Sequence, residues 1–226
     1  MLAIPCSRQR LLATVAAAAG IFHASLVSAA PGEREPDLIE CGSLQNHYGP
    51  FDYRTATAAE LARVERRHFT GQIEGLVKGE SGSLGGDIGY TLRVYPNHVR
   101  ALNSMVRLAI REKVDTPRGA IHSVECYLKR GEVFQPDDWH VKSAYGVFLL
   151  RVGRVAEAIE RMEQAETMNP GNANLLYNLG LAYAKAGKYP EALEKAHAAY
   201  RMGFPLPGLR EKLKRAGHWR EPGDSK

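Results

Sequence analysis

The sequence predicts an all-α fold, a solenoid of three to four helix pairs that ends in a C-terminal capping helix. First, five pairs of residues share an offset of 34 positions, which is typical of stacked helix–turn–helix units: Pro136 and Pro170, Gly146 and Gly180, Gly153 and Gly187, Ala158 and Ala192, and Ala165 and Ala199. Second, apolar and small residues recur at helical spacing within each unit. Third, Gly153 and Gly187 stand where a left-handed backbone would end the first helix of a unit.

Residues 1–29 have the pattern of a cleaved signal peptide. Arg8 and Arg10 precede an apolar run at residues 11–22 that is too short to cross a bilayer comfortably. The small residues Val-Ser-Ala at 27–29 are of the kind that signal peptidase reads. We expect cleavage after Ala29 and a periplasmic or secreted protein; an uncleaved anchor is the alternative that the pattern leaves open.

Charge and cysteine content narrow the class of protein. Loss of Arg8 and Arg10 would lower the formal net charge from +5 to +3, which is too mild to indicate nucleic-acid binding. No later apolar run is long enough for a transmembrane segment. Cleavage also removes Cys6, and in an oxidising compartment the remaining Cys41 and Cys126 predict one disulfide, with two free thiols as the alternative.

The N-terminal third of the mature chain shows only weak periodicity. Residues 30–56 are rich in Gly, Pro and polar side chains and predict an extended arm. Residues 57–96 predict a degenerate repeat: Thr57 and Glu60 form a capping-box pattern that begins a short helix at 57–67. A second helix is expected at 87–94, and we place its partner within residues 71–78. The glycine-rich stretch 81–86 reads as a turn between helices.

Residues 97–136 predict a repeat with an insertion. Pro96 and Pro136 are 40 residues apart, so about six extra residues are expected around 113–119. Apolar residues at helical spacing place the first helix around Leu102, Met105 and Ala109, and the second around Ile121, Val124 and Leu128.

Two regular repeats follow, at residues 137–170 and 171–204. In the first, Asp137 and Asp138 are interpreted as a helix cap rather than a catalytic carboxylate pair, with helices at 144–152 and 155–168. In the second, we expect helices at 174–186 and from Tyr189 onward, with Pro190 in the first turn. Residues 205–220 predict a capping helix at 207–216 with Leu209 and Leu213 facing inward, and 221–226 a frayed tail.

These repeats resemble the tetratricopeptide repeat family. The last repeat supplies the residues typical of that family: Leu176, Leu179, Gly180, Tyr183, Gly187, Tyr189, Ala192, Ala196 and Ala199. It departs at Pro205, which comes one place late. The preceding repeat keeps the shared glycines, alanines and Pro170 but has Tyr145, Leu149 and Val155 at other family positions. The resemblance implies a right-handed solenoid.

The resemblance also implies a binding scaffold whose first helices line a concave groove. The positions that would face this groove are Arg100, Asn103, Arg107, Arg111, His140, Ser143, Val147, Arg151, Asn174, Tyr177, Asn178, Leu181 and Lys185. The set holds five fixed cations and no carboxylate, so we expect a positive groove that binds an acidic or carboxylate-terminated protein or peptide partner. An ordinary solvated helix face is the alternative for each residue. By analogy, a periplasmic adaptor in a cell-envelope assembly is expected.

Other functions have weaker support in the sequence. No hydrolase elbow, phosphate-binding loop or zinc-protease motif is present, so we expect no enzyme, no cofactor and no metal. His122, Glu125 and Cys126 have the spacing of helical metal ligands, but Cys126 is needed for the disulfide. Two other classes remain: a structural subunit that oligomerises through its convex face and arm, and an enzyme or metal protein with a site around residues 41–54.

Overall fold

The computed structural model describes residue 38 and residues 40–223, and this part of the chain is all-helical, with ten helices and no strands. The helices are α1 Ala58–His68, α2 Gly71–Glu74, α3 Leu84–Val94, α4 Val99–Glu112, α5 Val124–Phe134, α6 Trp139–Val152, α7 Val155–Met168, α8 Ala173–Lys185, α9 Tyr189–Arg201 and α10 Gly208–Arg215. The expected signal peptide lies outside the described residues.

The two C-terminal helix pairs, α6–α7 and α8–α9, follow the predicted repeat closely. Gly153 and Gly187 end the first helix of each pair with φ angles of 88° and 77°, values that favour glycine. Gly146 and Gly180 stand where the helices approach closely: a Cβ atom on Gly146 would lie 2.5 Å from Met162 Cγ. The glycines that recur at the 34-residue offset therefore meet two separate requirements: Gly153 and Gly187 allow the turn, and Gly146 and Gly180 allow close packing of the helices.

The core lies between the layer of first helices and the layer of second helices. Its C-terminal part holds three small residues of α9, Ala192, Ala196 and Ala199, which are fully buried and let α9 pack closely on α8. Leu209 and Leu213 of α10 are also fully buried in this part, which confirms the predicted inward face of the capping helix. The fold is thus a tetratricopeptide-type solenoid with its C-terminal end covered.

The N-terminal pair differs from the prediction. The packing partner of α3 is α1, whose His68 ring lies 4.1 Å from the Tyr90 ring and whose His68 carbonyl accepts a hydrogen bond from Thr91 Oγ1. The segment 71–78, expected to hold the partner, forms only the one-turn helix α2, which lies against both α3 and α4. The capping box of Thr57 and Glu60 is confirmed at the start of α1.

Part of the glycine-rich stretch 81–86 is helical and not a turn: Gly82 lies in a bend before α3, as expected, but Gly85 and Gly86 belong to the helix. Ser83 caps α3 by accepting from the Gly86 amide, so Gly85 and Gly86 lie in its first turn. A Cβ atom on Gly85 would lie 2.6 Å from the carbonyl oxygen of Arg118. The glycines therefore let the inserted loop of residues 113–123 pass directly over α3.

The insertion also shifts the start of the next helix. Ser123 caps α5 by accepting from the Cys126 amide, so Ile121 lies before the helix. Its side chain is 59% exposed, and the prediction that Ile121 belongs to the buried face of a helix is wrong. Apolar spacing alone did not distinguish this exposed loop residue from the buried Val124 and Leu128.

The arm runs along one side of the solenoid and is bound mainly through its backbone. The Cys41 and Cys126 sulfurs are bonded in the structure, with 5.1 Å between the two Cα atoms. Arg130, which is 2% exposed, donates from Nη1 to the carbonyl oxygens of residues 41, 42 and 43 at 3.1, 2.8 and 2.7 Å. Further along, the Tyr53 amide donates to Asn97 Oδ1.

Candidate binding groove

The first helices of successive pairs lie side by side and bring the expected groove residues into one region. Helix α4 carries Arg100, Asn103, Arg107 and Arg111; α6 carries His140, Ser143, Val147 and Arg151; and α8 carries Asn174, Tyr177, Asn178, Leu181 and Lys185. Their surroundings differ greatly from one helix to the next. Only part of the predicted groove is therefore open to a partner.

The cations of α4 are already engaged by the chain itself. Arg100 donates from Nε to Glu74 Oε1 at 2.8 Å and forms a second contact with the same carboxylate, and Arg107 donates to the Glu74 carbonyl oxygen. The hydrogen bond from Arg100 lowers the pKa of the Glu74 carboxyl below its ordinary value. The listed positions carry no carboxylate, but Glu74 at the end of α2 pairs with Arg100, a partner that the sequence of the first helices could not show.

Two of the groove cations bind carbonyl oxygens of the segment packed against their helix. Arg111 Nη1 donates to the carbonyl oxygen of Leu76 at 2.6 Å, and Lys185 Nζ donates to that of Leu150 at 3.0 Å. Both cations lie in the last turn of their helices, where a positive charge also interacts favourably with the helix dipole. These contacts give Arg111 and Lys185 a structural role whatever the groove binds.

Tyr177 does not line an open groove, and its inclusion is corrected. The side chain is only 8% exposed, and its ring packs 4.3 Å from Phe204 and 6.5 Å from Tyr200. The segment after α9 covers this position. Sequence register alone did not show this cover, because Phe204 lies beyond the end of the last repeat helix.

Polar groove residues on α6 and α8 are partly committed to local contacts. His140 Nδ1 lies 3.1 Å from Asp138 Oδ1, and the His140 ring stacks on Trp139. Asp138 accepts from the His140 amide, so its predicted capping role is confirmed. Asn178 donates to both the side chain and the carbonyl oxygen of Asn174, which leaves the Asn178 oxygen free to accept.

The open part of the groove centres on Arg151. Within the described residues, the exposed Arg151 and Asn103 and the half-buried Ser143 make no hydrogen bond or ion pair to another side chain or to the backbone. Val147 and Leu181 are half-buried and add apolar surface. We call these five residues, Asn103, Ser143, Val147, Arg151 and Leu181, the open groove. It combines one free cation with amide, hydroxyl and apolar surface, which suits an acidic peptide segment.

A cluster of serine, histidine and aspartate at the base of α3 lacks the geometry of a nucleophilic triad. His68 Nδ1 lies 2.9 Å from Asp87 Oδ1 and 3.2 Å from Ser81 Oγ, and the Ser81 hydroxyl also donates to Asp87. A triad needs the acid and the nucleophile on opposite ring nitrogens. Burial opposes ionisation of Asp87, but hydrogen bonds from Ser81 and His68 outweigh it and lower its pKa. The hydrogen bonds of this cluster therefore hold the loop before α3 against α1 and α3.

The metal alternative is not assembled in the described part of the chain. His122 precedes the first turn of α5, Cys126 is bonded to Cys41, and Glu125 accepts from Tyr145 Oη and from Arg154. No group of three or more His, Cys, Asp or Glu side chains suited to a metal ion occurs among the residues that the structure describes.

Sequence reasoning missed His98, the most buried histidine in the groove region. Its Nδ1 accepts from the Ala101 amide at 3.2 Å and caps α4, while Nε2 lies 2.9 Å from Glu65 Oε1. Nε2 therefore carries the proton, and burial lowers the pKa of the ring. A signal was present: His98, Asp138 and Asn172 each follow a repeat proline by two positions, and each caps a first helix.

Comparison with known proteins gives one family. Residues 148–203, from the end of α6 to the end of α9, match the family described as Tetratricopeptide repeat. Repeats of this family are typically non-catalytic modules of protein–protein interaction. No curated protein matches the chain. In the described part of the chain, no helix has the length and apolar character needed to span a membrane.

Proposed function

Because residues 148–203 form a tetratricopeptide-repeat segment, we propose that the protein is a scaffold that binds an acidic peptide segment of a partner in its open groove. The observation that carries the proposal is the unpaired Arg151 beside the half-buried Val147 and Leu181. A guanidinium without a partner on an interaction module is available for a charge-assisted hydrogen bond to a carboxylate.

The neighbouring contacts support an acidic ligand. Lys185 binds the Leu150 carbonyl oxygen, so its ammonium lies against the residue that precedes Arg151. Lys185 therefore brings a second positive charge to the last turn of α6, which carries Arg151, and no carboxylate contacts either of them among the described residues. An acidic side chain or a chain terminus placed there would be attracted by both, and the attraction would be screened by salt.

A peptide library selected on the purified protein would test this proposal. We expect the selected peptides to be rich in Asp and Glu, and the Arg151→Ala variant to bind them more weakly by about 1–3 kcal/mol. The matched control is Arg66→Ala, which removes an exposed arginine from the last turn of α1, outside the open groove. Equal affinity of wild type and Arg151→Ala, or equal weakening by both variants, would reject the open groove as the binding site.

We further propose that the scaffold acts in the periplasm, in a cell-envelope assembly. The signal-peptide pattern at residues 1–29 supports export. The close approach of Cys41 and Cys126 supports an oxidising compartment, where such a bond persists. The envelope assembly rests on analogy with other exported repeat proteins alone.

A further inference from the structure

A second cleft, of about 220 Å³, opens at the C-terminal end of the solenoid. It lies between the last turns of α9 and the chain that follows α10. Seven residues line it: His197, Tyr200, Arg201, Arg210, Trp219, Glu221 and Pro222. None of the open-groove residues is among them, so this cleft is a separate surface feature.

Arg210 is held in place by aromatic rings rather than by an acid. Its guanidinium carbon lies 4.7 Å from the centre of the Tyr200 ring and 5.1 Å from that of the Trp219 ring. Tyr200 is itself fixed, because its hydroxyl donates to the Leu206 carbonyl and accepts from the Arg210 amide. Such stacking orients a guanidinium in advance and leaves its edge free for a ligand.

The donors of this guanidinium lack acceptors in the described part of the chain. Nε of Arg210 is buried there without a hydrogen-bond partner. The side chain forms no ion pair with a described carboxylate. Its two Nη groups also make no hydrogen bond among the described residues, and because the side chain is half-buried, a ligand oxygen in the cleft could accept from them.

The charge of the cleft also favours an anion. Arg201 adds a second, exposed guanidinium that makes no ion pair within the described residues. Against these two cations stands one carboxylate, Glu221, which accepts from Trp219 Nε1 at 2.9 Å. His197 donates from Nε2 to the Arg220 carbonyl oxygen. The lining therefore has two fixed positive charges and one negative charge that is turned toward Trp219.

We propose that this cleft is a binding site for a small oxyanion, a carboxylate or a phosphate monoester, carried on a compact apolar body. The forked N–H groups of Arg210 and Arg201 match the paired oxygens of such an anion. Trp219 and Pro222 provide an apolar surface against which the body of the ligand can pack. The small volume of the cleft fits a compact group rather than an extended peptide.

The two tryptophans of the chain allow a direct test. The indole N–H signals of the labelled protein are followed by NMR while phenyl phosphate, benzoate or neutral benzyl alcohol is added. We expect a saturable shift of the Trp219 signal with one or both anions and no shift with the alcohol. The Trp139 signal, from the first residue of α6 and outside the cleft lining, is the internal control. A shift with both anions identifies a general oxyanion site, and a shift with one identifies the preferred group.

Two variants separate a built site from an unspecific charge effect. Arg201→Ala should weaken anion binding at least about tenfold, because a charge-assisted hydrogen bond is lost. Glu221→Gln keeps an acceptor for Trp219 Nε1 and removes the opposing charge, so it should tighten binding severalfold. Arg66→Ala, which removes an exposed arginine of α1 that lies on neither binding surface, should leave binding unchanged. No saturable Trp219 shift with either anion, an equal shift with the alcohol, or no response to Glu221→Gln would overturn the proposal.

Discussion

The ammonium of Lys185 donates a hydrogen bond to the main-chain oxygen of Leu150 and so joins the last turn of α8 to that of α6. Arg111 of α4, two first helices earlier, donates in a similar way to the carbonyl oxygen of Leu76 in the segment after α2. Arg151 occupies the same helical position in α6 and has no such partner among the described residues. Three cations that look equivalent in the sequence therefore divide into two that stabilise the stack and one that is free to bind.

This division predicts that Lys185→Ala lowers the stability of the protein more than Arg151→Ala does, whereas Arg151→Ala weakens binding of the partner more. Lys185→Ala should lower the free energy of unfolding by about 0.5–1.5 kcal/mol, the usual worth of one hydrogen bond. Arg151→Ala should change it by no more than about 0.5 kcal/mol, as exposed substitutions do. Urea unfolding of both variants gives the comparison. Equal losses in the two variants would show that the Lys185 contact contributes nothing to the stack.

Gly146→Ala should destabilise the protein although alanine is the better helix former. The new Cβ would meet Met162 Cγ at 2.5 Å and the Ala158 carbonyl oxygen at 3.1 Å. We expect a loss of about 1–3 kcal/mol from overpacking, which exceeds the gain of about 1 kcal/mol in helix propensity. Gly171→Ala is the control, because nothing lies within 4 Å of its added Cβ and its φ is not positive. Thermal unfolding that ranks Gly146→Ala at or above wild type would contradict this.

The buried His98 predicts a loss of stability on mild acidification. Burial lowers the pKa of His98 in the folded state, and burial together with Arg130 and Arg93 lowers that of His122. The folded state therefore binds protons less readily than the unfolded state, whose histidines titrate near about 6.5. Stability should be complete above that pH and decrease as the pH falls below it.

The comparison variant for this prediction is His98→Asn, which keeps a capping side chain and cannot titrate in this range. Unfolding free energies measured between pH 7.5 and 5.5 should decline less steeply for the variant than for wild type, with the remaining slope due mainly to His122. Parallel slopes would exclude His98 as the source of the pH dependence.

The Cys41–Cys126 bond should contribute to stability, and the hydrogen bonds of Arg130 should partly compensate for its loss. The bond spans 85 residues, so chain entropy gives at most about 4 kcal/mol. Mass mapping of unreduced peptides should find the linked pair. The double Cys→Ser variant should unfold at lower temperature and lose its response to reductant. Because Arg130 also holds residues 41–43, replacing it by Met should cost more in that variant than in wild type.

Export predicts a defined mature N-terminus. If signal peptidase cuts after Ala29, sequencing of the protein from the periplasmic fraction should begin at Ala30. Loss of the apolar run by changes at residues 11–22 should keep the protein in the cytosol at full length. A protein that begins at Met1 in cytosolic material would contradict both the export proposal and the expected oxidising environment.

The C-terminal repeats could be predicted well because their signals are local. For α7, both ends were predicted, at Val155 and Met168, and Asp138 and Gly153 mark the ends of α6. These positions depend on caps, turns and close helix contacts within one repeat, all of which leave a residue type at a fixed place.

The remainder of the site depends on contacts between segments that are distant in sequence. Such contacts do not require a particular residue type at a fixed position of the repeat. The engagement of Arg107 and Arg111 by carbonyl oxygens of residues 74 and 76 involves main-chain atoms that every residue has. The burial of Tyr177 depends on Phe204, which lies beyond the end of α9. Repeat register thus indicated which face a side chain occupies, but not what covers that face.

The placement of the Cys41–Cys126 link has a mechanical consequence. With the bond formed, tension that enters at the N-terminal arm passes from Cys41 directly into α5 through Cys126. The intervening segment, which contains α1 to α4, lies within the covalent loop and carries no load. Pulling between Cys41 and the C-terminal end would therefore load the part of α5 after Cys126, the two C-terminal pairs and α10, while α1 to α4 would bear no direct tension until the disulfide is reduced.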